Sequence, residues 1–362
     1  MDNLLILEKL KPFRKQIDDL DKSIVKLLNQ RANIVKKIGK IKHEFHSKDP
    51  IIRPDREAAI ISKLQEENTG DFPNEAISSV WCEIMSACRN LEKNITISYL
   101  GPNGSFSEQA VFALFGHSID QLPCDSFDDV FKSVELKKAD IGVVPIENST
   151  EGAVNRTLDL LLNTSLKIIN EKTLPIKHCL MSTATSTQNI KIIYAHPQAS
   201  SQCIQWLNKN FPNIELVAAS SNSDAARMSL YNKNAAAIAG EIAAKVYNLN
   251  ILKSGIQDDI NNRTRFISVG NIKTSPSKSD KTSLILSVPN KPGAVYEMLF
   301  PLVNHSVSMT RLESRPARNG KWDYFFYVDI EGHCDSPNIS IALKELENNV
   351  EFFKLLGSYP TN

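Results

Sequence analysis

The stretch LKPFRKQIDDLDKSIVKLLNQRANIVKKIGKI, Leu10 to Ile41, decides the architecture of the N-terminal part of the chain. Apolar residues stand at Leu10, Phe13, Ile17, Leu20, Ile24, Leu27, Ile34, Ile38 and Ile41, in steps of three and four apart from one gap. That period predicts one long amphipathic helix with a coiled-coil-like seam. The gap is filled by Arg31, and an unpaired guanidinium on a buried seam is costly enough to require an anion. Lys42 follows eleven residues later, about three turns, so the two cations share a face and can hold opposite ends of one small polyanion. Arg14 flanks the same seam. A helix this long cannot cover its own stripe, which predicts helical hairpins or a dimer. Two more helices are expected, Asp55 to Glu67 after Pro54 and Asn74 to Lys93, making residues 1–94 wholly helical.

Beyond Asn94 short apolar strands alternate with polar turns and helices, at Ile95–Leu100, Ile141–Pro145, Ile192–Ala195, Leu216–Ser220, Ala235–Ala239 and Phe266–Val269. This predicts an α/β region over 95–272. Lys273 to Lys281 is rich in Ser and Lys, poor in apolar residues, and reads as a flexible linker. The last region, 282–362, is then a separable domain. It reads strand, helix, strand, Asn319-Gly320 turn, strand, helix, strand, the βαββαβ order of a ferredoxin-like α+β sandwich.

The bulk numbers narrow the function classes. At 362 residues the chain is too long for one ordinary core, and two or three domains are expected. Formal charge is +1 with no block of like charges, which speaks against nucleic acid or an anionic membrane as partner. Small molecules and copies of itself are the expected partners. Six cysteines without a Cys-x-x-Cys pair fit neither a disulfide framework nor a zinc site, so a cytoplasmic address and no metal are expected. The apolar run Leu4 to Leu7 is too short for a signal or a membrane span.

Chemistry concentrates at four strand-to-helix junctions and one tripeptide. The junctions are Gly101 to Ser107, Pro145-Ile146-Glu147-Asn148-Ser149, His196-Pro197-Gln198 and Ser220 to Asp224, all carrying hydroxyl or amide side chains. Backbone donors at helix starts suit carboxylates. The tripeptide Thr264-Arg265-Phe266 sets a hydroxyl donor beside a fixed cation, an arrangement for an anionic substrate with a hydroxyl leaving group. His196, standing alone, reads as a structural hydrogen-bonder.

Taken together these segments carry three family resemblances. Leu10-x-x-x-Arg14-x-x-Ile17-Asp18, Arg31, Gly39 to Lys42, and Arg53-Pro54-x-Arg56-Glu57 resemble an all-helical chorismate mutase. That resemblance implies substrate contacts at Arg31 and Arg56, and Arg14 reaching across from a partner subunit. It also implies Lys42 on the ether oxygen and Glu57 accepting the substrate hydroxyl. Glu92 takes the place of a glutamine that donates to that oxygen. A carboxylate cannot donate, so Glu92 must carry a proton in the active complex. Cys88 stands where a serine is usual.

The junctions and Thr264-Arg265-Phe266 resemble prephenate dehydratase, which implies two α/β lobes around a cleft, as in periplasmic binding proteins. Substrate contacts are then implied at Glu147, Asn148, Ser149, Arg265 and Phe266. Arg265 would orient the substrate anion and Thr264 would donate to the departing hydroxyl. Glu147 or a water supplies the proton, with the choice left open. Ser105 replaces a usual threonine. Gly293-Ala294-Val295 and Glu313-Ser314-Arg315-Pro316 resemble the effector motifs of an ACT regulatory domain, which implies phenylalanine as effector. The whole order is similar to the bifunctional chorismate mutase/prephenate dehydratases: substrates chorismate and prephenate, no cofactor, and a homodimer or larger homo-oligomer.

Two rival readings compete with this one. A prephenate dehydrogenase needs a Gly-x-Gly-x-x-Gly turn after a strand, and none of the fourteen glycines forms one. A non-catalytic aromatic-acid sensor keeps every fold-level feature but has no use for Thr264 beside Arg265.

Overall fold

The computed structural model describes residues 2–45, 50–289, 291–316 and 324–361. Three helices come first: α1 (Asp2–Glu44), α2 (Pro54–Glu67) and α3 (Asn74–Asn90). Helix α1 begins eight residues before the seam, with Pro12 inside it. In the single chain the seam is open to solvent along its length: Phe13, Leu20, Leu27 and Ile34 are each more than half exposed. Arg31 Nη1, at the seam's gap, is buried without a hydrogen-bond partner among the described residues. No described helix is long and apolar enough to cross a membrane.

The α/β region forms two lobes. Lobe one contains β1 (Thr96–Leu100), α4 (Phe106–Phe115), β2 (Asp120–Cys124), α5 (Phe127–Glu135), β3 (Ile141–Asn148), β4 (Gly152–Ala153), α6 (Asn155–Asn163) and β5 (Lys167–Pro175). The chain then crosses into lobe two: β6 (His178–Ser182), β7 (Ile192–Ala195), α7 (Pro197–Gln202), α8 (Ile204–Asn210), β8 (Glu215–Ala218), α9 (Asn222–Ser229), β9 (Ala235–Gly240), α10 (Glu241–Val246) and β10 (Asn250–Ser254). It returns as β11 (Arg263–Gly270), which inserts antiparallel between β3 and β5 and completes the sheet order β2-β1-β3-β11-β5. The two crossings are stitched together by Ile176 N–H to Asn262 O at 2.8 Å and Ile256 N–H to His178 O at 3.0 Å. Both the tripeptide and the crossings therefore sit where the lobes meet. Strands β2, β4, β5, β6 and β10 lie outside the sequence expectations. Of these, β2 and β10 are mostly exposed edge strands without a continuous apolar run.

The C-terminal unit follows the expected order: β12 (Asp280–Ser287), α11 (Ala294–Asn304), β13 (Met309–Pro316), β14 (Tyr324–Glu331), α12 (Pro337–Asn349) and β15 (Phe352–Pro360). Its antiparallel sheet runs β13-β14-β12-β15, the ferredoxin-like arrangement. The expected Asn319-Gly320 turn lies outside the described residues.

The expectation of a flexible linker and a separable last domain is corrected. Thr274 is buried, with its hydroxyl on Ser358 O, and Ser277 N–H donates to Asp280 Oδ2 at 2.6 Å. The C-terminal sheet lays one face on lobe one, and Ile285, Tyr327, Leu356 and Tyr359 share a single core with Leu158, Leu161, Ile168, Ile267 and Val269. Lys354 Nζ caps the end of α6, donating to Leu161 O at 2.9 Å and Leu162 O at 2.8 Å. Composition alone marks the segment as a linker because its few anchoring groups are hydroxyls and a carboxylate, not apolar side chains.

At Gly357, φ is +152° and a Cβ would overlap the Ile168 backbone, so β15 approaches β5 only because that residue is glycine. Gly357→Ala is expected to destabilise by at least about 2 kcal/mol, checked by the shift in denaturant midpoint. An unchanged midpoint would mean that the two backbones do not meet this closely in solution.

Candidate active site

In a strand, neighbouring side chains point to opposite faces, and β11 uses this to separate two jobs. Thr264 pairs with Asn148 of β3 and Arg265 pairs with Glu147. Thr264 and Asn148 face one way, Arg265 and Glu147 the other.

On the first face the geometry is tightly specified. Asn148 Oδ1 accepts the backbone N–H groups of Thr150 and Glu151 at 3.0 and 3.1 Å, which turns its amide nitrogen toward β11. Nδ2 then donates to Asn262 Oδ1 and to Thr264 Oγ1, both at 2.9 Å. Thr264 Oγ1 is thus an acceptor toward Asn148, and its own hydrogen is left to donate elsewhere. The chain of amides continues across the lobes: Asn262 Nδ2 donates to Gln202 Oε1 at 3.0 Å, and Gln202 Nε2 to Glu151 Oε1 at 2.9 Å. His178 Nε2 donates to the same Gln202 oxygen at 2.9 Å. Burial keeps the His178 imidazole pKa below its ordinary value, opposed by that hydrogen bond, so the ring is a neutral donor at pH 7. Asn262, Gln202 and His178 lie outside the sequence expectations. The signal available was a buried asparagine two residues before the threonine, invisible until its burial is known.

Ser149 closes the strand end, its Oγ accepting from Arg263 N–H at 2.9 Å. Ser105 caps α4, accepting from Glu108 N–H at 3.2 Å, and Gly104 at φ +86° brings this turn against Ser223 of α9. His196 Nδ1 accepts from Gln198 N–H at 3.3 Å, the structural role expected of it.

On the opposite face two of the implied substrate contacts are paired within the chain. Arg265, expected to meet the substrate anion, is bonded within the chain through each of its three nitrogens: Nε to Glu171 Oε2 at 2.6 Å, Nη1 to Asp329 Oδ2 at 2.6 Å, Nη2 to Tyr359 Oη at 3.0 Å. Burial works against its charge, but Tyr359, Asp329 and Glu171 outweigh it and raise the pKa above the ordinary value. Glu147, expected as a substrate contact and as one of two candidate proton sources, turns its carboxylate to Arg311 Nε at 3.1 Å. The reason in both cases is strand alternation, which turns them from Thr264. Phe266 lies in the lobe-one core with Tyr99 and Leu174, packing rather than contacting the cleft.

In the helical unit Lys42 Nζ and Glu92 Oε1 are brought to 3.1 Å. Glu57 forms an ion pair with Arg89, whose Nη2 donates to Phe115 O at 2.6 Å and ties α3 to lobe one. Arg14 and Arg56 are exposed, and Arg31 is partly buried on α1. In the C-terminal unit Gly293 takes the left-handed conformation, φ +82°, at the start of α11, with Ala294 buried and Val295 exposed. Along β13, Ser314 and Pro316 face solvent while Glu313 and Arg315 turn inward. Arg315, expected as an effector contact, donates to Asn155 O at 2.5 Å and pairs with Asp159 at 2.8 Å, both on α6. A hollow of about 1210 Å³ between α2, α3, α4 and α10 has Glu57 and Lys172 in its wall but neither Thr264 nor Asn148.

Comparison with known proteins matches residues 13–93 to the chorismate mutase type II family and residues 97–274 to the prephenate dehydratase family. A bifunctional chorismate mutase/prephenate dehydratase of Aquifex aeolicus is 43% identical over 98% of both chains. The chain belongs to this bifunctional family. The family's protein from Neisseria gonorrhoeae is likewise 43% identical, over 100% of this chain and 98% of its own. Among solved structures, prephenate dehydratase of Arthrobacter aurescens in complex with L-Phe is 33% identical, with a TM-score of 0.67 over 74% of this chain and 90% of its own. Membership in the family places Thr264 and its amide partners in a dehydratase fold and the Lys42–Glu92 pair in a mutase fold.

Asn148→Asp would replace the donor facing Thr264 Oγ1 with an acceptor, so the threonine hydrogen would turn toward the introduced carboxylate instead of the cleft. Prephenate turnover is expected to fall about 10²–10³-fold, the scale for one misdirected donor, with an unchanged circular dichroism spectrum. Retained turnover would remove the orienting bond from the mechanism.

Proposed function

We propose that the chain catalyses two consecutive reactions of phenylalanine biosynthesis. It rearranges chorismate to prephenate in the helical region to about residue 94. The α/β region to about residue 272 then converts prephenate to phenylpyruvate, carbon dioxide and water. The observation that carries the dehydratase half is the Asn148–Thr264 hydrogen bond, since a threonine that accepts from one side offers its hydrogen to a leaving group on the other.

In the dehydratase step the bond to the substrate carboxylate breaks as carbon dioxide departs, and its electron pair forms the new ring double bond. The ring hydroxyl leaves with one proton. Thr264 stabilises the charge developing on that oxygen, which needs a donor and no base. Threonine is too weak to give up its proton freely, and with Glu147 facing the C-terminal unit, a water in the cleft is the proton source in this reading. In this reading Ser149 holds the substrate at the same strand end, while Asn148, its amide committed on both sides, serves by fixing Thr264.

The mutase step is a pericyclic rearrangement and needs neither nucleophile nor base. Its rate comes from holding the reactive conformer and stabilising charge on the ether oxygen. Lys42 supplies that charge. Glu92 beside it becomes a donor when protonated, and Arg31 and Arg56 hold the substrate carboxylates, with Glu57 on the hydroxyl. The open seam on α1 supports a homodimer in which Arg14 reaches the partner's site. All six cysteines are free thiols, which suits the cytoplasm.

The ferredoxin-like C-terminal unit is in this reading an ACT domain that binds phenylalanine and inhibits dehydration. Support comes from the Arthrobacter relative, solved with L-Phe, and from the Gly293 turn, which offers backbone donors at the start of α11.

Chorismate added without any cofactor should yield phenylpyruvate. Lys42→Ala should stop this while added prephenate is still turned over, and Thr264→Ala should stop it with chorismate still converted to prephenate, Thr264→Ser remaining largely active. Parallel loss of both activities in either folded variant would contradict two separate sites. For the dimer, mixing Arg14→Ala and Lys42→Ala subunits should restore part of the mutase activity. No recovery after demonstrated subunit exchange would confine each site to one chain.

A further inference from the structure

The ion cluster behind Thr264 is built from both sides of a domain junction. Lobe one contributes Glu147 of β3, Glu171 of β5 and Arg265 of β11. All four strands of the C-terminal sheet contribute too: Lys281 and Ser283 from β12, Arg311 from β13, Asp329 from β14 and Tyr359 from β15. Three cations face three carboxylates. Lys281 Nζ meets Glu171 Oε1 at 2.6 Å, and Ser283 Oγ donates to Asp329 Oδ1 at 2.5 Å and lies 2.6 Å from Tyr359 Oη. The side chains of Arg265, Glu171 and Asp329 are all about nine-tenths buried or more. A buried guanidinium bonded through all three of its nitrogens is a rigid joint, because moving it leaves charges unpaired in a low dielectric.

We propose that Arg265 is a positioning residue and not a substrate contact: its bonds to Asp329 and Tyr359 make the placement of β11, and hence of the Thr264 hydroxyl, depend on how the C-terminal sheet is seated. The inference rests on the dehydratase reading above. Thr264 is covalently next to the joint, so a shift of the sheet that drags Arg265 also turns the threonine relative to Asn148. Any ligand that favours a different seating of the C-terminal unit thereby changes the rate of dehydration, by as much as its affinities for the two seatings differ.

The test is a double-mutant cycle on prephenate turnover with the full-length protein, comparing Arg265→Gln, Asp329→Asn and the double variant. Tyr359→Phe serves as a milder variant should the buried charge changes prevent folding, and chorismate consumption and thermal melting report the fold. Each single change is expected to lower kcat about 10- to 100-fold, the scale of a slightly misplaced catalytic group. KM should change less than about threefold, and the double variant should be no worse than the poorer single. A KM increase of about tenfold or more in Arg265→Gln, with Asp329→Asn and Tyr359→Phe at wild-type kcat, would make Arg265 a substrate contact and overturn the proposal. Wild-type protein that makes no phenylpyruvate from prephenate would instead remove the dehydratase reading, and this proposal with it.

Discussion

The structure depends on one strand, β11, placed antiparallel between β3 and β5 after the chain has returned from the second lobe. A strand in that position is obliged to present alternate residues to two different neighbours. On one side lies the junction of the lobes, and on the other lies the C-terminal sheet. The tripeptide Thr264-Arg265-Phe266 meets three environments in three residues: a polar network, a charge cluster and an apolar core. Its hydrogen bonds, ion pairs and packing all constrain the same few dihedral angles.

Period and turn chemistry make most of the fold legible. The helices of the first region, the alternation of the second and the βαββαβ order of the third follow from apolar spacing, and the observed helices α2 and α3 start and stop within a few residues of the expected ones. The candidate site is legible to the level of motifs. It is not legible to the level of which way each side chain faces. Arg265 and Thr264 look like partners in sequence because they are adjacent, and adjacency in a strand is the arrangement that separates them. Glu147 is turned from Thr264 in the same way, beside a bulge in β3 that leaves Ile146 without a partner on β11. Asp329 sits in the otherwise apolar run Tyr324–Ile330, and a lone carboxylate there marks a buried partner elsewhere, though not which one. The docking of the last domain is not legible in the sequence, since the apolar residues that meet lobe one, Ile285, Tyr327 and Leu356, lie on strands whose other face packs on the domain's own helices, and the remaining contacts are backbone carbonyls, a glycine and charged groups far apart in the chain.

The helical unit presents the opposite problem. Its sequence is easy to read and its single-chain structure is incomplete, because α1 displays a row of apolar side chains that no other described part of the chain covers. The mutase residues reflect this. Lys42 and Glu92 find each other within the chain, while Arg31 keeps a buried nitrogen without a hydrogen-bond partner among the described residues and Arg14 projects into solvent. Meanwhile Arg89 and the Ser86 hydroxyl, which accepts from Ser118 N–H at 3.1 Å, fasten α3 to lobe one, and Glu66 pairs α2 with Lys278, so α2 and α3 are attached to the rest while the seam of α1 stays open.

The shared core of lobe one and the C-terminal sheet bears on how the molecule is made. A ribosome delivers lobe one well before β15, yet Leu356 and Tyr359 complete the core that contains Leu158, Leu161 and Ile168. Until those residues emerge, the nascent lobe has an uncovered apolar face and an arginine with half of its anions missing. Chains caught at that stage are the ones exposed to aggregation. Cellular folding of this protein is consequently tied to the completion of translation through β15, and chaperone occupancy on the ribosome should persist over the synthesis of the whole C-terminal sheet.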